Sequence, residues 1–98
     1  MQDKKRVLEN IDKIHTTEMG IDRIKKNLKL NLHEKKEIVN YCKKKITDVK
    51  SNIYKKGKNY YCELEDIRIT INSHSYTIIT AHQVKEVYKK KNTKTNLF

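Results

Sequence analysis

The sequence contains no proline or tryptophan, two glycines, two cysteines and only three arginines beside twenty lysines. It has no run of about 18 apolar residues, so we expect no transmembrane helix and no membrane partner. No charged segment followed by an apolar segment opens the chain, which predicts a cytoplasmic protein that is not exported. Neither a linker nor a repeat divides the 98 residues, a length that builds one core. We expect a single domain over residues 1–88 and a lysine-rich, frayed tail over 89–98.

Charge of one sign dominates the composition. The formal net charge is +11, and hydrophobic residues make up only 36% of the chain, which is below the usual share of a globular domain. A positive field of this size attracts nucleic acids, nucleotides and acidic proteins. The near absence of arginine argues against bidentate reading of bases in a DNA groove. A/T-rich codons also favour lysine, isoleucine and asparagine, so the lysine count alone does not identify the partner.

The two cysteines carry no metal-binding signature. Cys42 and Cys62 are twenty positions apart, without a C-x-x-C motif or a histidine at ligand spacing. Both occupy apolar-patterned positions, which predicts two reduced core cysteines, with a single disulfide as the alternative. We expect no metal and no cofactor.

Three amphipathic helices are predicted before residue 50, at about 3–14, 17–29 and 32–47. The apolar residues that set this spacing are Val7, Leu8, Ile11 and Ile14, then Ile21, Ile24 and Leu28, then Ile38, Val39, Cys42 and Ile46. Thr16 or Thr17, followed by Glu18, suits the start of the second helix. Asn31 and Glu34 have the spacing of a capping box for the third.

From about residue 50 the period changes to that of β-strands. Ile53-Tyr54 and residues 60–64 flank Gly57, which suits a hairpin turn that needs a positive φ. Residues 67–72 alternate apolar and polar side chains, and residues 76–82 form a further strand after a turn. A short helical turn through Val84 and Val87 would follow. The sequence therefore predicts an α+β fold, with about three N-terminal helices packed on a three- or four-stranded antiparallel β-meander.

Two short motifs, G-K-N-x-Y at residues 57–61 and T-I-N-S at residues 70–73, lie in segments that resemble a known bacterial family. Lys56-Gly57-Lys58-Asn59-Tyr60-Tyr61 is followed by Ile69-Thr70-Ile71-Asn72-Ser73 and by Tyr76-Thr77-Ile78-Ile79-Thr80. With Ile11–Glu18 and Ile21–Ile24, these segments resemble the family catalogued as domain of unknown function 3781. The resemblance covers about residues 8–84. It implies one intact domain and supplies no mechanism.

The polar side of the predicted sheet is the first candidate for a binding site. Ile67, Ile69 and Ile71 would pack on the helices, which leaves the alternate residues open to a ligand. Arg68 can hold a phosphate through its planar fork of donors, and Thr70 and His82 can lie on neighbouring strands within reach. The candidate ligand-binding residues are Arg68, Thr70, Asn72, Ser73, Tyr76, Thr80 and His82 on the sheet, Lys58 and Asn59 in the hairpin turn, and His15, Thr17 and Arg23 near the second helix.

These residues favour a small basic module that binds a phosphate-bearing ligand, either nucleic acid or a small nucleotide. Mobile-element and phage accessory or inhibitor proteins include such modules. One alternative is a small ribonuclease-like toxin, in which His82, His74, Arg68 and Lys58 would perform acid–base catalysis. Another is a protein-interaction module that docks an acidic partner on the lysine-rich third helix or the sheet edge. An exposed edge strand would also allow a homodimer.

Overall fold

The computed structural model describes residues 2–32 and 34–84, which form three helices and a five-stranded sheet. The helices are α1 (Gln2–Glu9), α2 (Glu18–Leu28) and α3 (Lys35–Ile46). The strands are β1 (His15–Thr16), β2 (Asn52–Lys56), β3 (Asn59–Leu64), β4 (Ile67–Asn72) and β5 (Thr77–Gln83). The predicted α+β class is confirmed. Val87 and the tail over 89–98 lie outside the described residues.

The first helix is shorter than the predicted 3–14. It ends at Glu9, and a 3-10 turn, Ile11–Lys13, follows. The side-chain amide of Asn10 donates to the carbonyl of Arg6 at 2.8 Å. This bond supplies a partner for one of the carbonyls that are left free at a helix C-terminus.

The second helix begins as predicted and the third does not. Thr17 is the N-cap of α2, and its hydroxyl accepts a hydrogen bond from Gly20 N at 3.1 Å. The capping box predicted at Asn31 and Glu34 is wrong by three residues, because Glu34 is the N-cap of α3 and Glu37 is its partner. A carboxylate oxygen of Glu37 accepts from Glu34 N at 3.3 Å. The segment before Glu34 instead packs Leu30 and Leu32 against the core.

The sheet has the strand order β1-β5-β4-β3-β2. Strands β2 to β5 form the predicted antiparallel meander, with four strands. The sheet as a whole is mixed, because β1 pairs in parallel with β5 through His15↔Thr77 and Thr16↔Ile78. An all-antiparallel sheet was therefore wrong at this edge. A two-residue strand has no periodic pattern, and its pairing spans more than sixty residues of chain.

One face of the sheet packs on the helices to form the core. Ile69 and Ile71 of β4 are fully buried there, as predicted, whereas Ile67, predicted on the same face, is only half-buried. Ile78 of β5 is fully buried beside them. Cys42 of α3 and Cys62 of β3 belong to the same cluster, and both are free thiols, which confirms that they are core cysteines.

Close contact between α2 and β5 fixes the edge of the sheet. The hydroxyl of buried Thr16 donates to the carbonyl of Ile78 at 2.8 Å. A Cβ on Gly20 would overlap Thr16 Oγ1 and lie 3.2 Å from Ile78 O. Gly20 therefore lets the first turn of α2 approach the backbone of β5.

The opposite edge of the sheet, β2, is joined to α1. The carboxylate of Asp3 accepts a hydrogen bond from Lys55 N at 3.1 Å. The ammonium group of Lys4 donates to the carbonyl of Ser51 at 2.7 Å, just before the strand begins. Such contacts reduce the number of edge groups that could pair with a second chain, and a homodimer through this edge remains a prediction.

Candidate ligand-binding face of the sheet

The second face of the sheet carries polar and aromatic side chains. Because residues opposite each other in a ladder share a face and alternate along each strand, the strand register assigns these side chains to three rows. The end row contains His15, Thr77, Asn72, Asn59 and Lys56. The middle row contains Thr80, Thr70, Tyr61 and Tyr54. The far row contains His82, Arg68, Glu63 and Asn52. Together we call these residues the polar face.

The guanidinium of Arg68 is paired with a carboxylate in the far row. Nε and Nη2 of Arg68 both lie 2.8 Å from Glu63 Oε2. The same oxygen accepts a hydrogen bond from the hydroxyl of Tyr54 at 2.9 Å. The side chains of Arg68 and Glu63 are 32% and 21% exposed, so the pair is partly shielded from solvent. Arg68 is thus held in one place, with its Nη1 amino group directed away from this shared oxygen.

Two tyrosines of the middle row stack across the β2–β3 hairpin. The ring centroids of Tyr54 and Tyr61 are 5.6 Å apart, with an angle of 27° between the planes. The guanidinium carbon of Arg68 lies 6.0 Å from the centroid of the Tyr61 ring, which is within cation–π range. Partial burial and the hydrogen bond to Glu63 raise the pKa of Tyr54. The result is an ordered array of Arg68, Tyr61 and Tyr54 whose two ends are both bonded to Glu63.

A chain of hydrogen bonds connects hydroxyl groups to a histidine at the end row. Thr77 Oγ1 lies 3.0 Å from His15 Nε2 and 2.7 Å from Ser75 Oγ. His15 Nδ1 lies 2.8 Å from the carbonyl of Lys13, which can only accept. In the neutral ring Nδ1 therefore carries the proton and Nε2 accepts from Thr77, which in turn accepts from Ser75. This network positions the His15 ring on the polar face.

Four predicted residues of the sheet lie in two directly opposed pairs. Arg68 is directly opposite His82, and Thr70 is directly opposite Thr80. Thr70 is only 7% exposed, and the hydroxyl of Thr80 accepts a hydrogen bond from the Asn27 amide of α2 at 3.2 Å. Of this set, Arg68 and His82 are therefore the better placed for a ligand.

The turn after β4 uses several predicted residues for its own structure. The side-chain carbonyl of Asn72 accepts hydrogen bonds from His74 N at 2.8 Å and Ser75 N at 2.9 Å. Tyr76 has a φ of 60°, which is rare for a bulky residue. Its ring stacks on that of buried Tyr60, with centroids 6.2 Å apart. Tyr76 thus supports the core side of the sheet.

The remaining predicted residues lie at the hairpin turn and on α2. Lys58 is exposed beside Gly57, whose φ of 63° confirms the predicted positive value. Asn59 is half-buried in the end row. Thr17 is occupied as an N-cap, and Arg23 is exposed on α2.

The four residues of the ribonuclease hypothesis lie in two separate places. Arg68 and His82 face each other in the far row. Lys58 and His74 lie in turns beyond the end row, and these turns are joined by a hydrogen bond from Ser73 N to Lys58 O of 2.8 Å. Four residues of a strand separate the two rows, which corresponds to about 13 Å.

Sequence reasoning missed Glu63 and Thr77, which organise the polar face, and left Tyr54 and Tyr61 outside the candidate set. A usable signal existed for Glu63. A two-residue turn at Glu65-Asp66 pairs Leu64 with Ile67 and therefore Glu63 with Arg68. No comparable signal pointed to Thr77, because its partner His15 lies in the unexpected strand β1.

Other kinds of site receive little support from the described residues. Among residues 2–32 and 34–84, no three His, Cys, Asp or Glu side chains are grouped as a metal site would require. None of the helices there has the length and apolar character needed to cross a bilayer. Burial raises the pKa of the Cys42 thiol to about 12 and that of Cys62 to about 11, so neither forms the reactive thiolate near neutral pH.

Comparison with known proteins assigns the chain to a family. Residues 8–82 match the family described as Protein of unknown function (DUF3781). The chain belongs to this family. No curated protein and no solved structure matches the chain.

The DUF3781 match spans the whole polar face, from His15 to His82. The two motifs that carry the resemblance meet in the structure. Lys58 of the first motif accepts, through its backbone carbonyl, the hydrogen bond from Ser73 N of the second. In this DUF3781 member the motifs therefore form the adjoining turns at one end of the polar face.

Proposed function

We propose that this protein is a small, basic, cytoplasmic module that binds a phosphate-bearing ligand, either nucleic acid or a nucleotide, on the polar face of its sheet. The observation that supports this proposal best is the array of Arg68, Tyr61 and Tyr54 on the face opposite the helices. Guanidinium groups bind phosphate oxygens, and aromatic rings stack on bases. One small area therefore offers partners for both parts of a nucleotide.

Exposed lysines beside this array would attract the ligand. Lys56 lies in the end row two residues from Tyr54, and Lys58 is exposed in the adjoining turn. Lysine contacts with phosphate release counterions, so affinity would fall steeply as salt rises.

A titration of fluorescently labelled 12-nucleotide RNA and DNA, and of a labelled cyclic dinucleotide, tests the proposal at 50 and 200 mM salt. We expect a saturable signal at 50 mM, weakened about 20-fold at 200 mM if three phosphates are contacted. Absence of binding by all three probes at 50 mM would refute the proposal.

A matched pair of variants locates the binding surface. Lys56→Gln with Lys58→Gln removes two charges beside the polar face, whereas Lys36→Gln with Lys44→Gln removes two exposed charges from α3. We expect the first variant to weaken binding much more than the second. Equal losses would indicate attraction by the overall charge and not a site on the sheet.

The acidic-protein alternative depends on a different surface. A groove of about 660 Å³ runs along the exposed side of α3, where Tyr41, Lys43 and Lys44 are among its lining residues. The ammonium of Lys45 lies 5.4 Å from the centroid of the Tyr41 ring. This surface supplies positive charge for an acidic partner, and a dominant effect of the α3 variant would favour it.

The ribonuclease alternative depends on His82 and Arg68, which lie directly opposite each other on β5 and β4. Incubation of labelled RNA with the pure protein, and with His82→Ala, tests it directly. Cleavage that disappears in the folded variant would support a toxin, and intact RNA would exclude one.

A further inference from the structure

The two tyrosines on the polar face lie where core packing does not require them. Strand β3 contains consecutive tyrosines, and the alternation along the strand directs Tyr60 into the core and Tyr61 to the opposite side. Tyr60 is 2% exposed and stacks on Tyr76, so the core already has its aromatic pair. Tyr61 and Tyr54 remain half-buried on the face away from the helices.

Hydrogen bonding holds this second pair in a fixed orientation. Glu63 Oε2 accepts from the Tyr54 hydroxyl at 2.9 Å and from Arg68 Nε at 2.8 Å. Tyr61 lies between these two residues, 5.6 Å from the Tyr54 ring and 6.0 Å from the guanidinium. Because the rings are already ordered, a ligand that stacks on them loses less free energy to ordering.

The outer side of the array lies at the β2 edge of the sheet. Tyr54 belongs to β2, the last strand in the order, so no further strand of the described sheet lies beyond it. A planar base that stacks there would extend the sequence of Arg68, Tyr61 and Tyr54 by one member. Lys56 lies on the same face, about 7 Å farther along β2, where it can reach the phosphate of that nucleotide.

The arrangement favours single strands over duplexes. Bases are available for stacking on aromatic rings only when they are unpaired, whereas a duplex offers mainly its backbone and groove edges. Among the described residues, the apolar sides of α1, α2 and α3 belong to the core on the other face. Helix α2 also reaches the polar face at β5, where the Asn27 amide donates to Thr80, and the array of Arg68, Tyr61 and Tyr54 lies on the strands beyond it. The described strands present a largely continuous sheet surface.

From these observations we infer that the polar face binds single-stranded nucleic acid, with unpaired bases stacked on Tyr54 and Tyr61 and the backbone held by Lys56 and Lys58. This inference rests on the proposed function and specifies its ligand. Sequence preference would be weak, because every base has a face that can stack. Affinity for a duplex would be limited to the general attraction of a basic protein for phosphate.

The test compares a fluorescently labelled 12-nucleotide DNA strand of mixed sequence, the equivalent RNA strand, and the duplex of the DNA strand with its complement. Fluorescence anisotropy at 100 mM salt measures the three dissociation constants. We expect both single strands to bind at least tenfold more tightly than the duplex. Duplex binding that equals or exceeds single-strand binding would overturn the inference and leave the proposed function standing. If none of the three oligonucleotides binds, the result contradicts both this inference and the proposed function.

Variants then test the stacking itself. Tyr61→Leu removes a ring from the array, and Tyr41→Leu on α3 is a matched control outside the polar face. Circular dichroism establishes that each variant is folded. We expect Tyr61→Leu to weaken single-strand binding about tenfold, with little change for the duplex.

Tyr54→Phe separates stacking from structural support, because it keeps the ring and removes only the hydroxyl bonded to Glu63. We expect it to retain single-strand binding within about threefold, whereas Tyr54→Leu loses about tenfold. Equal affinities of the wild type, Tyr54→Leu and Tyr61→Leu would overturn the stacking role even if single strands bind.

Discussion

Glu63 lies directly opposite Arg68 on the neighbouring strand, and its Oε2 atom accepts a hydrogen bond from Nε and forms an ion pair with Nη2 of the guanidinium, both at 2.8 Å. The alternating pattern of β4 alone predicts that Arg68 is free to bind a phosphate through two N–H groups. In the structure this arginine, the only one in the described strands, is instead paired with Glu63. Its carboxylate partner keeps it in place beside the tyrosines and also competes with any anionic ligand for it.

This competition can be measured with Glu63→Gln. The change removes a negative charge from the polar face. The guanidinium of Arg68 then faces an amide oxygen, which accepts more weakly than a carboxylate, so we expect tighter binding of a labelled single strand. Stability should fall by about 1 kcal/mol, because the pair is only partly shielded from solvent. Isothermal titration calorimetry measures the affinity for the single strand, and urea unfolding measures the free energy of unfolding.

Glu65→Gln is the matched control, since Glu65 is exposed in the β3–β4 turn and the substitution changes the net charge equally. An increase in affinity that is the same in both variants would show that net charge, and not release of Arg68, is responsible.

Gly20→Ala is expected to destabilise the protein by about 1–3 kcal/mol, because its Cβ would overlap the Thr16 hydroxyl. Thr16→Ala removes that hydroxyl and its 2.8 Å bond to Ile78 O. The double variant should therefore lose less than the sum of the two single losses. A cycle of urea unfolding measurements checks this, and strictly additive losses would contradict the close contact between α2 and β5.

Thr17→Ala should lower the free energy of unfolding by about 1 kcal/mol, because α2 loses the side chain that caps Gly20 N. Thr17→Ser keeps the hydroxyl and should restore most of that stability. Since the Thr17 oxygen is occupied by the cap, we expect oligonucleotide affinity to stay unchanged in Thr17→Ala. A large loss of affinity in a folded variant would contradict this expectation and indicate that Thr17 contacts the ligand.

Alkaline pH should destabilise the protein through its buried thiols. Burial raises the pKa of Cys42 from 9.0 to about 12 and that of Cys62 from 9.0 to about 11. The unfolded chain then loses these protons first, so their contribution is complete below about pH 9 and is lost as pH rises through 11 and 12.

Urea unfolding at pH 7.5 and pH 10.5 measures this loss, with Cys42→Ala/Cys62→Ala as the comparison because lysine titration affects both proteins alike. The double variant should lose less stability between the two pH values. An identical loss would contradict the assignment to the thiols.

Most of the sheet's register could be predicted from its turns. Gly57-Lys58 and Glu65-Asp66 are two-residue connections, and they place Tyr54 opposite Tyr61 and Glu63 opposite Arg68. Glu65 has a φ of 57°, a value that nothing in its residue type favours, so the second turn is weaker as a sequence signal than the first.

The remaining features depend on contacts between distant parts of the chain. Strand β1 exists because His15-Thr16 meets Thr77-Ile78 across the fold, and that pairing creates the network of His15, Thr77 and Ser75. Local patterns carry no information on such pairings. The start of α3 at Lys35 likewise depends on the core, because Leu30 and Leu32, which precede the helix, pack against it.

The most direct test of binding on the polar face is a ¹⁵N-correlated NMR titration of the labelled protein with an unlabelled 12-nucleotide single strand. We predict that the largest shift changes fall on the amides of β2, β3 and β4 around Tyr54, Tyr61 and Arg68, with smaller changes along α3. Large changes confined to α3 and the groove beside Tyr41, with β2 to β4 unaffected, would contradict this account.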